Sequence, residues 1–172
     1  EWKTVESITG RIIPTDHEPG AIEANCVNFI DKALAHEDAA SQPAYRAGLG
    51  GVDAVSHQRW AQSFVTLSSA QQDEVLAGLE SGKAEGWPAS AGLSASTFFE
   101  AVRGHTIIGF LADPKYGGNR DYAGWKVVVE GTVSARTLSK EEQIEQGKHQ
   151  AAEEGKTFDP SKVKGPKTIV MI

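Results

Sequence analysis

The sequence holds one cysteine, Cys26, so no disulfide can form within the chain and cysteine usage does not fix the compartment. It lacks any apolar run near the roughly 20 residues of a membrane helix, and its mean hydropathy is -0.33, so no membrane span is expected. It also lacks an excess of basic charge: the net charge is -6 and the isoelectric point about 5.4. Nucleic-acid binding is not expected, because phosphate recognition needs a basic face. Lys162, Lys164 and Lys167 cluster, but in a Pro/Gly-containing tail.

Signatures of catalysis and of nucleotide binding are absent as well. There is no G-x-S-x-G elbow, no HExxH, no P-loop frame around Lys164–Thr168 and no G-x-G-x-x-G after a strand. The five histidines show no i, i+4 pairing of the kind that holds zinc on a helix. Asp16-His17-Glu18 reads as a solvated turn, with cation binding the other reading. Cys26 sits on an apolar helical stripe, where a buried, inert thiol is the usual meaning. His105, inside the most apolar helix, is either a satisfied core or interface group or a proton carrier. The first residue is Glu1 rather than methionine, which fits either a removed leader or a trimmed chain.

What is present is helical periodicity. Trp2, Val5, Ile8 and Ile12 recur at helical spacing until Pro14. Residues 21–36 read as a second amphipathic helix, with Ile22, Cys26, Phe29, Ile30 and Leu34 inward. A third starts near Pro43, tolerated in a first turn, and runs through Trp60, although Gly48, Gly50 and Gly51 each weaken it by about 1 kcal/mol relative to alanine. Ser68 with Gln71 forms a capping box for a short helix closed by Gly82. Residues 83–94 form a loop of small residues holding Trp87-Pro88. Residues 97–112 are the most apolar helix, including Ile107, Ile108 and Leu111, and are expected to be central. Val127-Val128-Val129 reads as a short strand or the end of a turn. Residues 139–155 read as a polar helix, exposed or ordered by a partner. Residues 156–172 read as an extended tail with an apolar end, docked by strand addition or folded back on the chain's own core. The predicted fold is all-α, a compact multi-helix domain over residues 1–130 with a long irregular C-terminal arm over residues 131–172.

Residues 113–125 are the unusual feature. Gly117 and Gly118 open backbone angles closed to other residues, Asn119 tolerates the left-handed region, and Tyr116, Tyr122 and Trp125 bring large faces with polar tips. Two readings stand: a partner-contacting loop, or a tight connection tucking its aromatics into the chain's own core.

Three blocks carry a family resemblance. They are Arg11–Asp16 with Pro19-Gly20-Ala21 and Phe29-Ile30-Asp31; Tyr45–Leu49 running into Leu67–Gln72; and Phe98-Phe99, His105-Thr106 and Gly109-Phe110, followed by Asp113–Asp121 and Gly124-Trp125. Together they span roughly residues 5–128, and the last block is the most specific. On these residues the chain resembles gluconate 2-dehydrogenase subunit 3, the small subunit of membrane-bound, FAD-dependent sugar dehydrogenases. The resemblance implies a non-catalytic accessory subunit with no cofactor of its own. It implies a large flavoprotein partner of the glucose-methanol-choline type that binds FAD, often a cytochrome c subunit, and a periplasmic location reached through a twin-arginine leader not contained in this sequence. No catalytic residue carries over. The expected partner interface is Tyr116, Gly117, Gly118, Asn119, Arg120, Asp121, Tyr122 and Trp125, and the C-terminal extension, which departs from the family pattern after Trp125, is expected to wrap the partner. Two other functions stay open: a free-standing small-ligand module lined by Trp60, Trp87 and Trp125, and an independent hydrolase using His105 or Cys26.

Overall fold

The computed structural model describes residues 1–132, 136–138, 144, 148, 157 and 167–169. The chain divides into two units, residues 1–127 and residues 128–172. The fold is all-α, and the helices among the described residues are α1 (Trp2–Ile12), α2 (Cys26–Ala35), α3 (Gln42–Trp60), α4 (Ser69–Glu80), α5 (Ala95–Leu111) and α6 (Ala123–Thr132). Among the described residues of the second unit, β1 (Arg136–Leu138) pairs antiparallel with β2 (Lys167–Ile169), Thr137 opposite Thr168. Apart from residues 144, 148 and 157 and β2, the expectations for residues 139–155 and for the tail lie outside the described residues.

In the first unit α5 is the hub, packing against α1, α2, α3 and α4. Its inward residues Phe98, Val102 and Thr106 are almost fully buried, and Phe98 and Val102 share one core with Ile8 of α1, Ile30 of α2, Val52 of α3 and Leu79 of α4. Burying side chains of this size contributes about 1.5–3 kcal/mol each. The glycines that weaken α3 have a packing reason at Gly48: a Cβ there would lie 2.0 Å from the Phe98 ring, so glycine lets α3 close on α5. The capping box of α4 forms as predicted, with Gln71 N–H donating to Ser68 Oγ and Ser68 N–H to Gln71 Oε1 at 3.0 Å. Ser94 caps α5 by accepting from Thr97 N–H at 3.0 Å.

Three expectations are corrected. The second helix begins at Cys26 rather than residue 21, because Asn25 takes a left-handed conformation (φ 58°) and residues 21–25 form turns. Ala21 and Ala24 are nonetheless fully buried, in a small second cluster with Cys26, Phe110 and Ala123, while Ile22 is left half exposed. Val127–Val129 lie in α6: their β-branched propensity is a weak preference, outweighed once Ala123 and Val127 pack on that cluster. Trp125 therefore sits on a helix, not in the loop.

Candidate functional site: an aromatic loop at the end of the central helix

The C-terminal end of α5 is apolar on both sides. Phe110 faces inward, whereas Ile107, Ile108 and Leu111 point outward, with Ile108 51% exposed. A helix apolar all round is normally covered on every side; here the outward stripe is bare among the described residues.

The segment that follows divides into an inner anchor and an outer face. Asp113 Oδ1 accepts from Lys115 N–H at 3.0 Å and starts a 3-10 turn over Pro114–Tyr116. Gly118 is buried against α5, where a Cβ would stand 2.1 Å from the Gly109 carbonyl oxygen. Asn119 is fully buried and left-handed (φ 44°). Its backbone N–H donates to the Gly109 carbonyl at 2.7 Å, its Nδ2 to the Ala112 carbonyl at 2.8 Å, and its Oδ1 accepts from Gly124 N–H at 2.9 Å. One side chain thus satisfies an end carbonyl of α5 and a free N–H at the start of α6, groups that helix termini leave without partners. Arg120 N–H donates to the Ala24 carbonyl at 3.0 Å, and Asn28 Nδ2 to the Gly117 carbonyl at 2.7 Å, tying the loop to the region of α2.

The side chains that this anchor presents face outward. Tyr116 is 52%, Tyr122 53% and Trp125 40% exposed, and Arg120 and Asp121 are also exposed. Tyr122 and Trp125 rest against each other with ring centroids 5.3 Å apart. Asp121 and Tyr122 follow Asn119 into the left-handed region, with φ of 55° and 59°. For a bulky aromatic that is a costly conformation, of the kind that persists only where surrounding contacts enforce it. Of the eight residues expected at an interface, Gly118 and Asn119 point inward and Gly117 is half buried, while the other five lie on the surface.

His105 is held rather than free. Tyr45 Oη meets its Nδ1, and its Nε2 lies 3.2 Å from Asp38 Oδ2. Burial, with the nearby Asp38 charge, raises the Tyr45 pKa, and its hydroxyl reaches both His105 Nδ1 and the Ala101 carbonyl. Cys26 is fully buried, and burial pushes its thiol up to about 12, the reverse of what a nucleophile needs. Trp87 donates to the Leu93 carbonyl at 2.9 Å and packs on Phe98, so it is a core residue. The cleft of about 580 Å³ beside Trp60 is lined by neither Trp87 nor Trp125. In the Asp16–Glu18 turn, Asp16 Oδ1 accepts from Glu18 N–H at 2.9 Å, and His17 is solvated beside it. Among the described residues no group of three His, Cys, Asp or Glu side chains is placed to hold a metal ion, and no helix is long and apolar enough to cross a membrane.

Sequence reasoning did not mark Asn28, Asp38 or Tyr45 as partners of the loop and of His105, since such pairings exist only after folding. Ile107, Ile108 and Leu111 were visible as apolar, but not as outward-facing.

No curated protein and no solved structure matches the chain. The family model for gluconate 2-dehydrogenase subunit 3 matches residues 1–131, which covers the whole of the first unit and the aromatic loop within it. The chain belongs to the gluconate 2-dehydrogenase subunit 3 family.

Proposed function

We propose that this chain is a non-catalytic accessory subunit of an FAD-dependent sugar, glycoside or sugar-acid dehydrogenase. It binds the large flavoprotein subunit and supports its folding, stability and twin-arginine export to the periplasm. The observation that carries the reading is the bare apolar surface at the end of α5. Ile107, Ile108 and Leu111 are exposed, Ile108 lines one groove with Tyr116, Trp125 bonds the Leu111 carbonyl, and the segment bearing Tyr116 and Tyr122 is pinned from inside by Asn119. Contiguous exposed apolar surface marks interaction sites, and aromatic residues are enriched at interface centres. Family membership supplies the kind of complex. FAD and any cytochrome c belong, on this reading, to the partner subunits.

The hydrolase reading is disfavoured by the buried, high-pKa Cys26 and by a His105 engaged on both ring nitrogens. The ligand-module reading is disfavoured by the separation of Trp60, Trp87 and Trp125 into different surroundings. The test is co-purification from the native host with a tag on this chain. A stoichiometric flavoprotein with sugar-dependent dye reduction is expected. Recovery of the chain alone, while the host expresses its dehydrogenases, rejects the reading.

A further inference from the structure

His105 sits on the hub helix α5 between a sealed phenol and a half-open carboxylate. Its side chain is 17% exposed, and Asp38, 3.2 Å from its Nε2, is 46% exposed. Tyr45, whose hydroxyl meets Nδ1, is buried. Solvent therefore borders the Asp38 end of this chain of side chains and not the Tyr45 end. The three come from different elements: His105 from α5, Tyr45 from α3, and Asp38 from the connection between α2 and α3.

Hydrogen-bonding capacity decides what each charge state of the ring can do. An ionised carboxylate only accepts, so Nε2 carries a hydrogen toward Asp38. In the neutral ring that leaves Nδ1 bare, and the Tyr45 hydroxyl donates to it. In the cationic ring both nitrogens donate, so Nδ1–H points at the Tyr45 oxygen and the phenol proton needs another acceptor. The Ala101 carbonyl, one turn earlier on α5, lies 3.4 Å from that oxygen and takes it. Burial, with the Asp38 charge second, raises the Tyr45 pKa, so the phenol keeps its proton in both states. Neither ring nitrogen and no hydroxyl proton is left unmatched before or after the ring gains a proton.

The other charged groups nearby are placed elsewhere. On α5, Arg103 binds Glu100 at 2.8 Å. On α3, Arg46 lies 3.7 Å from Glu1, and Asp31 of α2 lines the same cleft as Arg46 and Tyr45. Lys32 of α2 lies along Gly117, and Lys115 is 3.7 Å from Asp113. His36 and Glu37 line the groove beside Asp38. Of these charges, Asp38 is the one within hydrogen-bond distance of the ring.

We propose that Asp38, His105 and Tyr45 form a proton-operated hydrogen-bond switch. Uptake of one proton at Nδ1 of His105 reverses its bond with Tyr45, turns the phenol proton to the Ala101 carbonyl, and converts the Asp38 contact from a hydrogen bond to an ion pair. The ion pair is the stronger contact, so proton uptake tightens the hold of residues 36–41 on α5. Residues 36–38 wall the groove that Ile108 and Tyr116 also line. The switch stands whether or not the chain is an accessory subunit.

Nitrogen-15 NMR of the imidazole rings in the full chain tests it, from about pH 5 to 8, the range in which histidine ordinarily changes charge. The His105 ring is expected in the Nε2–H form at the alkaline end and with a hydrogen on both nitrogens at the acid end. The Tyr45 ring carbon that bears the hydroxyl, and the backbone amides of residues 37–41, are expected to shift with the same midpoint. Asp38→Asn, close in shape and half exposed, is expected to keep the helical circular dichroism, to move the midpoint to lower pH, and to uncouple residues 37–41 from the ring. A ring that keeps one state throughout, that carries its hydrogen on Nδ1 at the alkaline end, or that gains a proton with no response at Tyr45 and residues 37–41, overturns the switch.

Discussion

The indole N–H of Trp125 donates to the carbonyl of Leu111 at 2.6 Å, so the first turn of α6 closes the last turn of α5. The bond gives an otherwise unpartnered helix-end carbonyl its donor. Trp125→Phe is expected to cost about 1 kcal/mol of stability in urea unfolding, the worth of one hydrogen bond. Trp125→Ala is expected to weaken binding to the large subunit by about 1–3 kcal/mol in titration calorimetry. A far larger stability loss in the alanine variant, with binding of the folded fraction unchanged, would assign Trp125 to the core instead.

Asn119 is the opposite kind of residue, fully buried and without access to any partner. Asn119→Ala removes its acceptor for Gly124 N–H and its donor to the Ala112 carbonyl, and places alanine at a φ of 44°. A buried group left unpaired costs about 1–3 kcal/mol and the backbone about 1 kcal/mol more, so a loss of about 3 kcal/mol in urea unfolding is expected. A loss below about 1 kcal/mol would show that the loop does not depend on this anchor.

Tyr122 separates stability from binding. Its φ of 59° is strained for tyrosine and ordinary for glycine, and its ring is 53% exposed, so little packing is lost on truncation. Tyr122→Gly is expected to leave the melting temperature unchanged or raise it, while complex formation weakens. A lower melting temperature with intact binding would mean that the ring serves the chain's own fold.

The helices were legible where one apolar stripe faces one core, as with Val5 and Ile8 in α1 or Tyr45, Leu49, Val52 and Val55 in α3. So were the devices that depend on neighbours in sequence, such as the Ser68–Gln71 box, Pro14, and the left-handed Asn119. The α2 boundary was not legible, because Ala21 and Ala24 are apolar for the sake of Phe110 and Ala123, and periodicity does not distinguish a buried turn from a buried helix. Three valines in a row read as a short strand or the end of a turn, and only the packing of α6 shows otherwise. In the candidate site, the loop's composition identified the segment, but not which members face outward. The bare stripe of Ile107, Ile108 and Leu111 looked like more core, since a sequence does not show which of two apolar faces finds a cover.

Cys26 gives the clearest dependence on pH. Its folded pKa is raised to about 12 by burial, against about 8.5 in an unfolded chain. The neutral thiol's contribution is therefore fully present below about pH 8.5 and declines as pH rises from there toward the folded value. Thiol labelling at pH 8 is expected to be negligible in the native chain and to reach one equivalent in urea. Cys26→Ala is expected to flatten the alkaline fall in stability. Rapid native labelling would contradict the burial on which the inert reading of this residue rests.

The most direct test of the central claim compares the tagged chain with its Ile108→Asp/Leu111→Asp variant in co-purification from the native host. Both positions are exposed, so the variant is expected to fold with unchanged helical circular dichroism. The account predicts a yellow, flavin-bearing large subunit with the unmodified chain and a colourless eluate with the variant. Equal recovery of flavoprotein by both, or by neither while the host expresses it, would contradict the account.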